Sequence, residues 1–285
     1  MTDLDPGAIA RSALTDTRFS DVRWVPETGS TNADALELGR AGEAEGIVLV
    51  ADHQTAGRGR LGRTWQAPVG GSLLCTILLR PPASAAPAST MAVAVAASDA
   101  IAELTGHAPR LKWPNDLVWP GDGSGPDRKL AGILAEVDWP AASQISSGWR
   151  EPRPTDRLVV AVGIGINVAW GPDVPADLAD LAIALDHITH PGSPPDRATL
   201  LVAMLRHLDR RYRALLQQPD GGASLQQAWR DRSATLGRQV RVDLGADDLV
   251  GTAVDITSEG HLVVETLEGE RRTVAVGDVV HLRPL

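Results

Sequence analysis

Residues Gln54 to Trp65 read Gln-Thr-Ala-Gly-Arg-Gly-Arg-Leu-Gly-Arg-Thr-Trp. Three arginines alternate with three glycines, shortly after the apolar run Ile47–Ala51. Glycine lets backbone N–H groups approach an anion closely, and arginine offers a two-pronged donor for phosphate or carboxylate. Trp65 adds a flat face on which a base can stack. The spacing matches neither the Gly-x-x-x-x-Gly-Lys-Ser/Thr phosphate loop nor Gly-x-Gly-x-x-Gly at a helix start. The residues therefore point to anion binding, with a solvated loop or an RNA-contacting arginine tract as the other readings of the same composition.

Of the 27 basic residues only two are lysine, Lys112 and Lys129. Where a plain positive charge suffices, this chain uses arginine, so the two lysines mark positions that need a compact ammonium rather than a planar fork. Lys112 stands in Leu111-Lys112-Trp113-Pro114-Asn115-Asp116, where a cation, a rigid turn and two polar side chains meet at a strand end. Lys129 opens Lys129-Leu130-Ala131-Gly132-Ile133-Leu134-Ala135-Glu136, whose small residues leave room for a ligand or simply pack closely. Gly163-Ile164-Gly165-Ile166-Asn167 pairs two glycines with an amide that could read an adenine edge, or forms a bulged strand. Ser30-Thr31-Asn32 places three small hydrogen-bonding groups at a helix start, the ordinary place for a cap.

The elements that must position these residues follow from periodicity and turn signals. Strands are expected at 22–25, 47–51, 72–79, 110–113, 129–137, 158–162 and 164–168. Helices are expected at 33–41, 88–104, 197–216 and 225–233, with a helix-like patch at 9–14. Residues 119–128 and 138–156 read as polar loops, and 217–222 as a break between helices. From Leu236 the texture changes to short strands at 240–242, 249–256, 261–266, 272–276 and 279–282, punctuated by glycine. This predicts a small β-barrel. The chain thus divides into a larger α/β or α+β domain at 1–235 and a barrel at 236–285.

Composition narrows the function. The 285 residues carry a net charge of -9, the wrong sign for a protein living mainly on nucleic-acid phosphate. No run approaches ~18 apolar residues, so no transmembrane helix is expected. The single cysteine, Cys75, excludes an intrachain disulfide and a cysteine-based zinc site. The acidic N-terminus lacks a signal-peptide pattern, and a reduced cytoplasm fits. The seven histidines show no metal-ligand spacing, and no catalytic triad stands out.

Taken together and in this order, Ser30–Asn32, Gln54–Trp65, Lys112–Asp116, Lys129–Glu136, Gly163–Asn167 and the terminal Asp278–Arg283 resemble the biotin–protein ligase family. The resemblance spans about 30 to 283. It implies an α+β fold, a mixed sheet flanked by helices and related to class II aminoacyl-tRNA synthetases, with a C-terminal SH3-like β-barrel. It implies two reactions. Biotin and MgATP give biotinyl-5′-AMP and pyrophosphate; a lysine of a biotin carboxyl carrier domain then displaces AMP.

By this resemblance Lys129 contacts the biotin carboxylate and the α-phosphate. Arg58, Gly59 and Arg60 close over biotin and the phosphates, with Arg63 adding to them. Ser30, Thr31, Asn32 and Gln54 meet the ureido ring, and the Gly132 and Gly163 backbones lie close to biotin. Trp65 stacks on adenine. Lys112, Asn115 and Asn167 serve the nucleotide, Asp116 supports Mg²⁺ or Lys112, and Arg283 reaches the ATP phosphates.

Some members carry an N-terminal winged helix that represses biotin genes. About 22 residues precede the first strand here, too few for that module, so a ligase without DNA binding and without membrane attachment is expected, as a monomer or homodimer. Rivals are a lipoate– or octanoate–protein ligase and a non-enzymatic biotin sensor. A third, the biotin carrier itself, lacks a lysine in a Met-Lys-Met-like turn.

Overall fold

The computed structural model describes residues 5–120, 126–139, 151–172, 174, 178, 180–189, 194–218, 220–244, 248–275 and 277–281. Two sheets organise the chain. The larger is built from β1 (Val22–Thr28), β2 (Val48–Gln54), β3 (Ser72–Leu79), β4 (Arg110–Lys112), β5 (Asp116–Trp119), β6 (Arg128–Asp138) and β7 (Val159–Asn167). Their order is β1-β2-β3-β7-β6-β5-β4. β1 and β2 run parallel, joined through α2 (Thr31–Arg40), and the other neighbours are antiparallel, so the sheet is mixed.

Helices cover both faces. α2 packs its Ala35 and Leu36 on Leu49, Leu78, Val159 and Ala161. On the other face α3 (Ala88–Thr105) buries twelve of its 18 residues, mostly small and apolar, while Asp99 and Glu103 near its end pair with His207, Arg211 and Arg232. Its alanines let the sheet and α4 (Arg197–Gln217) close in around it. Asp196 caps α4 by accepting from the backbone N–H groups of Ala198 and Thr199, both at 3.0 Å. α1 (Pro6–Ala13) and α5 (Gly221–Arg232) complete this layer.

β3 shows how alternation feeds both layers. Leu73, Cys75, Ile77 and Leu79 face the α3 core, and Leu78 packs under α2. Thr76, on the α2 side with Leu78, is a polar residue with no exposed surface.

The second sheet is formed by β8 (Gln239–Asp243), β9 (Asp248–Ile256), β10 (Leu262–Glu265), β11 (Arg271–Val274) and β12 (Asp278–His281), in the order β11-β10-β9-β8-β12 and antiparallel throughout. Among the described residues β11 and β12 are its two edges, so it is an open sheet where closure into a barrel was expected. A hydrogen bond docks it beside the larger sheet: the Trp113 indole N–H donates to the carbonyl of Gly260, between β9 and β10, at 2.9 Å.

Other expectations need adjustment. Asp116–Trp119 is a strand, so the polar loop begins later than residue 119. The two runs around Gly163 are one strand, β7. α5 starts at Gly221, inside the expected break. Most of the expected loop 138–156 and part of 119–128 lie outside the described residues. No helix among the described residues is long and apolar enough to cross a membrane.

Candidate functional site

α2, β2, β3, β6, β7, the Gly-Arg loop and one edge of the second sheet enclose a cavity of about 350 Å³. At one end stand neutral polar groups. Ser30 occupies the N-cap position of α2, but its side chain makes no capping bond. Gln54, at the end of β2, accepts the Thr31 backbone N–H at 2.8 Å through Oε1. Thr76 Oγ1 lies 2.7 Å from Thr31 Oγ1 and 2.6 Å from Asn32 Oδ1. Asn32 Oδ1 can only accept, so the single Thr76 proton goes there and the Thr31 hydroxyl supplies its own proton. Gly163 lies directly behind: a Cβ there would sit 2.0 Å from Asn32 Oδ1. The Thr31–Asn32 pair is thus held from three elements, leaving Ser30, the Thr31 hydroxyl and the Gln54 amide at the wall.

Cations line the same cavity, Arg58 among them next to Asn32 across Glu136. Arg58, Arg60, Arg63, Lys112 and Lys129 all line the cavity, against the single carboxylate of Asp116. Five positive charges gather here in a chain whose net charge is -9. Lys129 Nζ lies 2.7 Å from Asp116 Oδ1 and 5.4 Å from the centre of the Trp65 ring. Its backbone is clamped by residues 181–183: the Lys129 N–H donates to Leu181 O at 2.8 Å, and Ile183 N–H to Lys129 O at 2.9 Å. Among the described residues the Lys112 ammonium makes no hydrogen bond or ion pair, while its charge acts on His281.

The Gly-Arg segment is a hairpin closed on itself, with Gly59 N–H donating to Arg63 O at 2.6 Å and Trp65 N–H to Gly57 O at 3.0 Å. A 3₁₀ turn covers Arg60–Gly62. Arg60 reaches across to the second sheet, donating from both terminal nitrogens to the Gly277 carbonyl at 3.3 Å, and it contacts Asn115 Oδ1 at 3.4 Å. Burial pushes the Arg60 guanidinium below its ordinary value, with Asp116 opposing and Arg63 reinforcing the shift. The Trp65 ring lies on Gly132 and Gly165, where an added Cβ would come within 2.8 Å and 2.6 Å of ring atoms; only glycine permits this seat. Its indole N–H is buried without a partner among the described residues, a donor that a ligand's polar atom would satisfy.

The second sheet contributes Val279 and Val280 to the wall. Behind them, burial pushes His281 down to about 4, reinforced by the charges of Lys112 and Arg238 and opposed by Asp127, so this ring is neutral at pH 7. Burial likewise pushes the Cys75 thiol up to about 12, which removes it as a nucleophile.

The cavity therefore brings together Ser30, Thr31, Asn32, Gln54, Arg58, Gly59, Arg60, Arg63, Trp65, Lys112, Asn115, Asp116, Lys129, Gly132 and Gly163. It does not bring Asn167. That side chain is buried behind β7, and its amide donates to Ile183 O at 3.1 Å, bracing the segment that clamps Lys129. Asp116, expected to support Mg²⁺ or Lys112, pairs with Lys129. Arg283 lies outside the described residues. Sequence reasoning missed Thr76, Glu136 and the two valines. Thr76 had a signal, a polar residue inside the apolar run Ser72–Leu79; Glu136 and the valines lay in matched segments but were given no role there.

Chemically, such a cavity suits an elongated ligand with a small neutral hydrogen-bonding head and an anionic tail beside phosphates. Among the described residues no group of three or more His, Cys, Asp or Glu could hold a metal ion.

Comparison with known proteins agrees with this geometry. The family model described as biotin/lipoate A/B protein ligase matches residues 25–149, and the biotin protein ligase C terminal domain model matches residues 235–282. A biotin–[acetyl-CoA-carboxylase] ligase of Mycobacterium tuberculosis is 37% identical over 271 residues, 91% of this chain and 88% of that protein. One from Paracoccus denitrificans is 33% identical over 262 residues, 90% of this chain and 98% of its own length. The solved biotin protein ligase from Aquifex aeolicus in complex with biotin and ATP superposes with a TM-score of 0.71 at 27% identity, covering 93% of this chain and 100% of that one.

Proposed function

Because this chain belongs to the biotin/lipoate A/B protein ligase family, we infer from its cavity that it is a biotin–protein ligase, which makes biotinyl-5′-AMP from biotin and ATP and passes biotin to a lysine of a carboxylase carrier domain. The observation that carries the reading is one cavity whose wall holds both neutral hydrogen-bonding groups and five cations, with Asp116 as its carboxylate. The ureido ring has one carbonyl acceptor and two N–H donors, which Ser30, Thr31 and Gln54 complement. A lipoate or octanoate tail has no group for them, and a site built from hydrogen-bonding side chains rejects a ligand lacking the partners.

In the first step an oxygen of the biotin carboxylate bonds to the α-phosphorus while the bond to the β-phosphate oxygen breaks and pyrophosphate leaves. Two anions must meet, so positioning and positive charge dominate the rate enhancement. Lys129 stands between them as a compact ammonium, oriented by Asp116 at 2.7 Å. Arg58, Arg60 and Arg63 converge from the hairpin, with Lys112 on the nucleotide side and Trp65 offering its face to adenine. In the second step the carrier amine bonds to the acyl carbon, AMP leaves, and the amine gives up a proton.

The donor set suits phosphate oxygens rather than a bare cation, so Mg²⁺ enters with ATP as part of the substrate and adds its charge to theirs. In this reading Asp116 orients Lys129. Asn32 positions its neighbours without meeting biotin itself, since Leu134 O, Glu136 and Thr76 engage its amide. The second sheet, read as an SH3-like module beginning near residue 236, holds Arg60 through Gly277. The catalytic unit is 1–235, and the protein works in the cytoplasm without binding DNA.

The test is transfer. Incubation with biotin, MgATP and a biotin carboxyl carrier domain is expected to give biotinyl-lysine at the carrier's acceptor lysine, detected by mass spectrometry. A carrier whose acceptor lysine is changed to arginine serves as control. Absence of modification on the native carrier overturns the reading.

A further inference from the structure

Glu136 stands outside the cavity wall, near the end of β6, yet it joins two residues of that wall. Its Oε2 accepts from Asn32 Nδ2 at 2.8 Å and from Arg58 Nη2 at 3.0 Å. Asn32 is itself immobilised: 5% exposed, its Nδ2 also donates to the Leu134 carbonyl at 3.0 Å, and its Oδ1 takes the Thr76 proton. The space behind it is closed by Gly163. Glu136 is therefore a fixed acceptor. Arg58, by contrast, belongs to a hairpin whose backbone bonds close mainly on itself. A guanidinium has five N–H donors, so one spent on Glu136 leaves the others free for a substrate oxygen, in an orientation that the carboxylate sets.

We propose that Glu136 is a positioning residue that holds the Arg58 guanidinium over the cavity and, through Asn32, ties that cation to the α2 end where the neutral head of the substrate is recognised. The inference rests on the biotin-activating function above. It adds that the two ends of the site are mechanically linked by one carboxylate, so the acid is gripped at head and tail together.

The experiment measures biotin-dependent adenylate formation and calorimetric biotin affinity for the wild type, Glu136→Ala, Glu136→Gln, Arg58→Ala and the Glu136→Ala/Arg58→Ala pair, with thermal midpoints alongside. Glu136→Ala is expected to raise KM for biotin about tenfold, the effect of one lost charge-assisted hydrogen bond, with kcat within about threefold. Glu136→Gln keeps an acceptor oxygen for both donors and stays within about threefold of the wild-type KM. In the Arg58→Ala background, Glu136→Ala has no further effect on biotin affinity, as required if it acts through Arg58. Trypsin, which cuts after Arg58, Arg60 and Arg63, cleaves the ligand-free Glu136→Ala hairpin faster than the wild type.

An unchanged KM in Glu136→Ala, or an equal loss of affinity with and without Arg58, overturns the proposal. So does a lowered thermal midpoint with no KM-against-kcat split. If the wild type forms no adenylate, the functional reading fails instead; an active wild type with an unaffected Glu136→Ala sinks this inference alone.

Discussion

Replacing Lys129 by alanine should cost more than the loss of one contact, because the residue left behind works against the reaction. Lys129 Nζ sits 2.7 Å from Asp116 Oδ1, the side chains being 34% and 24% exposed. The lost ammonium alone is worth about 3–4 kcal/mol where charge develops in the transition state, a factor of roughly 10²–10³. Asp116 then confronts the incoming carboxylate and phosphates without its counter-ion. Two unit charges about 5 Å apart repel by ~3 kcal/mol at an effective dielectric near 20, and Arg60 nearby reduces this to ~1–2 kcal/mol. Lys129→Ala should therefore slow adenylate formation by about 10³-fold or more, and adding Asp116→Asn to it should restore roughly tenfold. In the wild-type background Asp116→Asn alone loosens Lys129 and slows the enzyme, so the same substitution changes sign with its partner. Single-turnover formation of biotinyl-AMP from labelled ATP measures all four. Lys129→Ala within tenfold of the wild type, or a double variant slower than Lys129→Ala, refutes the reasoning.

Other expectations test the surrounding structure. Biotin plus ATP should protect the Gly57–Arg63 hairpin from trypsin, since substrate oxygens occupy its guanidinium groups; unchanged cleavage after Arg58, Arg60 and Arg63 argues against that engagement. Thr76→Val leaves Asn32 Oδ1 buried without a donor and should lower stability by about 1–3 kcal/mol in denaturant unfolding, with weaker biotin binding. Gly165→Ala puts a methyl group 2.6 Å from the Trp65 ring and should unseat it, raising KM for ATP severalfold while CD spectra stay native. His281 is held near 4 by burial and by Lys112 and Arg238, below the 6.5 of an unfolded histidine. The unfolded chain thus takes up a proton that the native one refuses. The native state has its full stability above pH 6.5 and loses it as pH falls toward 4, on the order of 2 kcal/mol between pH 7 and pH 5. Comparing pH-dependent unfolding of the wild type and His281→Asn, the variant should lose this slope, and a parallel profile contradicts the assignment.

Much of this site was legible because its chemistry is carried by residue types that stand out. Arginines spaced by glycine, two lysines in an arginine-rich chain and three small hydrogen-bonding residues at a helix start are visible without coordinates, and all converge on one cavity. The strands were legible where apolar runs are long, as in Ser72–Leu79. β5 was not, because Pro114, Asn115 and Asp116 signal a turn just where four residues pair with β6. β7 reads as two runs because Gly163 and Gly165 look like interruptions; in the fold they are close-approach points for Asn32 and Trp65. Asn167 shows that an amide after a glycine pair can brace backbone, as its bond to Ile183 O does. Glu136 and the valines of β12 are the kind of residue that sequence conceals. A glutamate on a half-exposed strand looks solvated until its two partners, 78 and 104 positions away, are brought beside it.

The central claim is that this cavity joins a carboxylic acid to the α-phosphate of ATP and selects that acid by a ureido head. The most direct measurement is pyrophosphate release from ATP with biotin as the acid, against lipoate and octanoate at equal concentration. Release that requires biotin, and that falls by at least about a hundredfold with either rival acid, is the expected result. Equal turnover with lipoate or octanoate, or none with biotin, contradicts it.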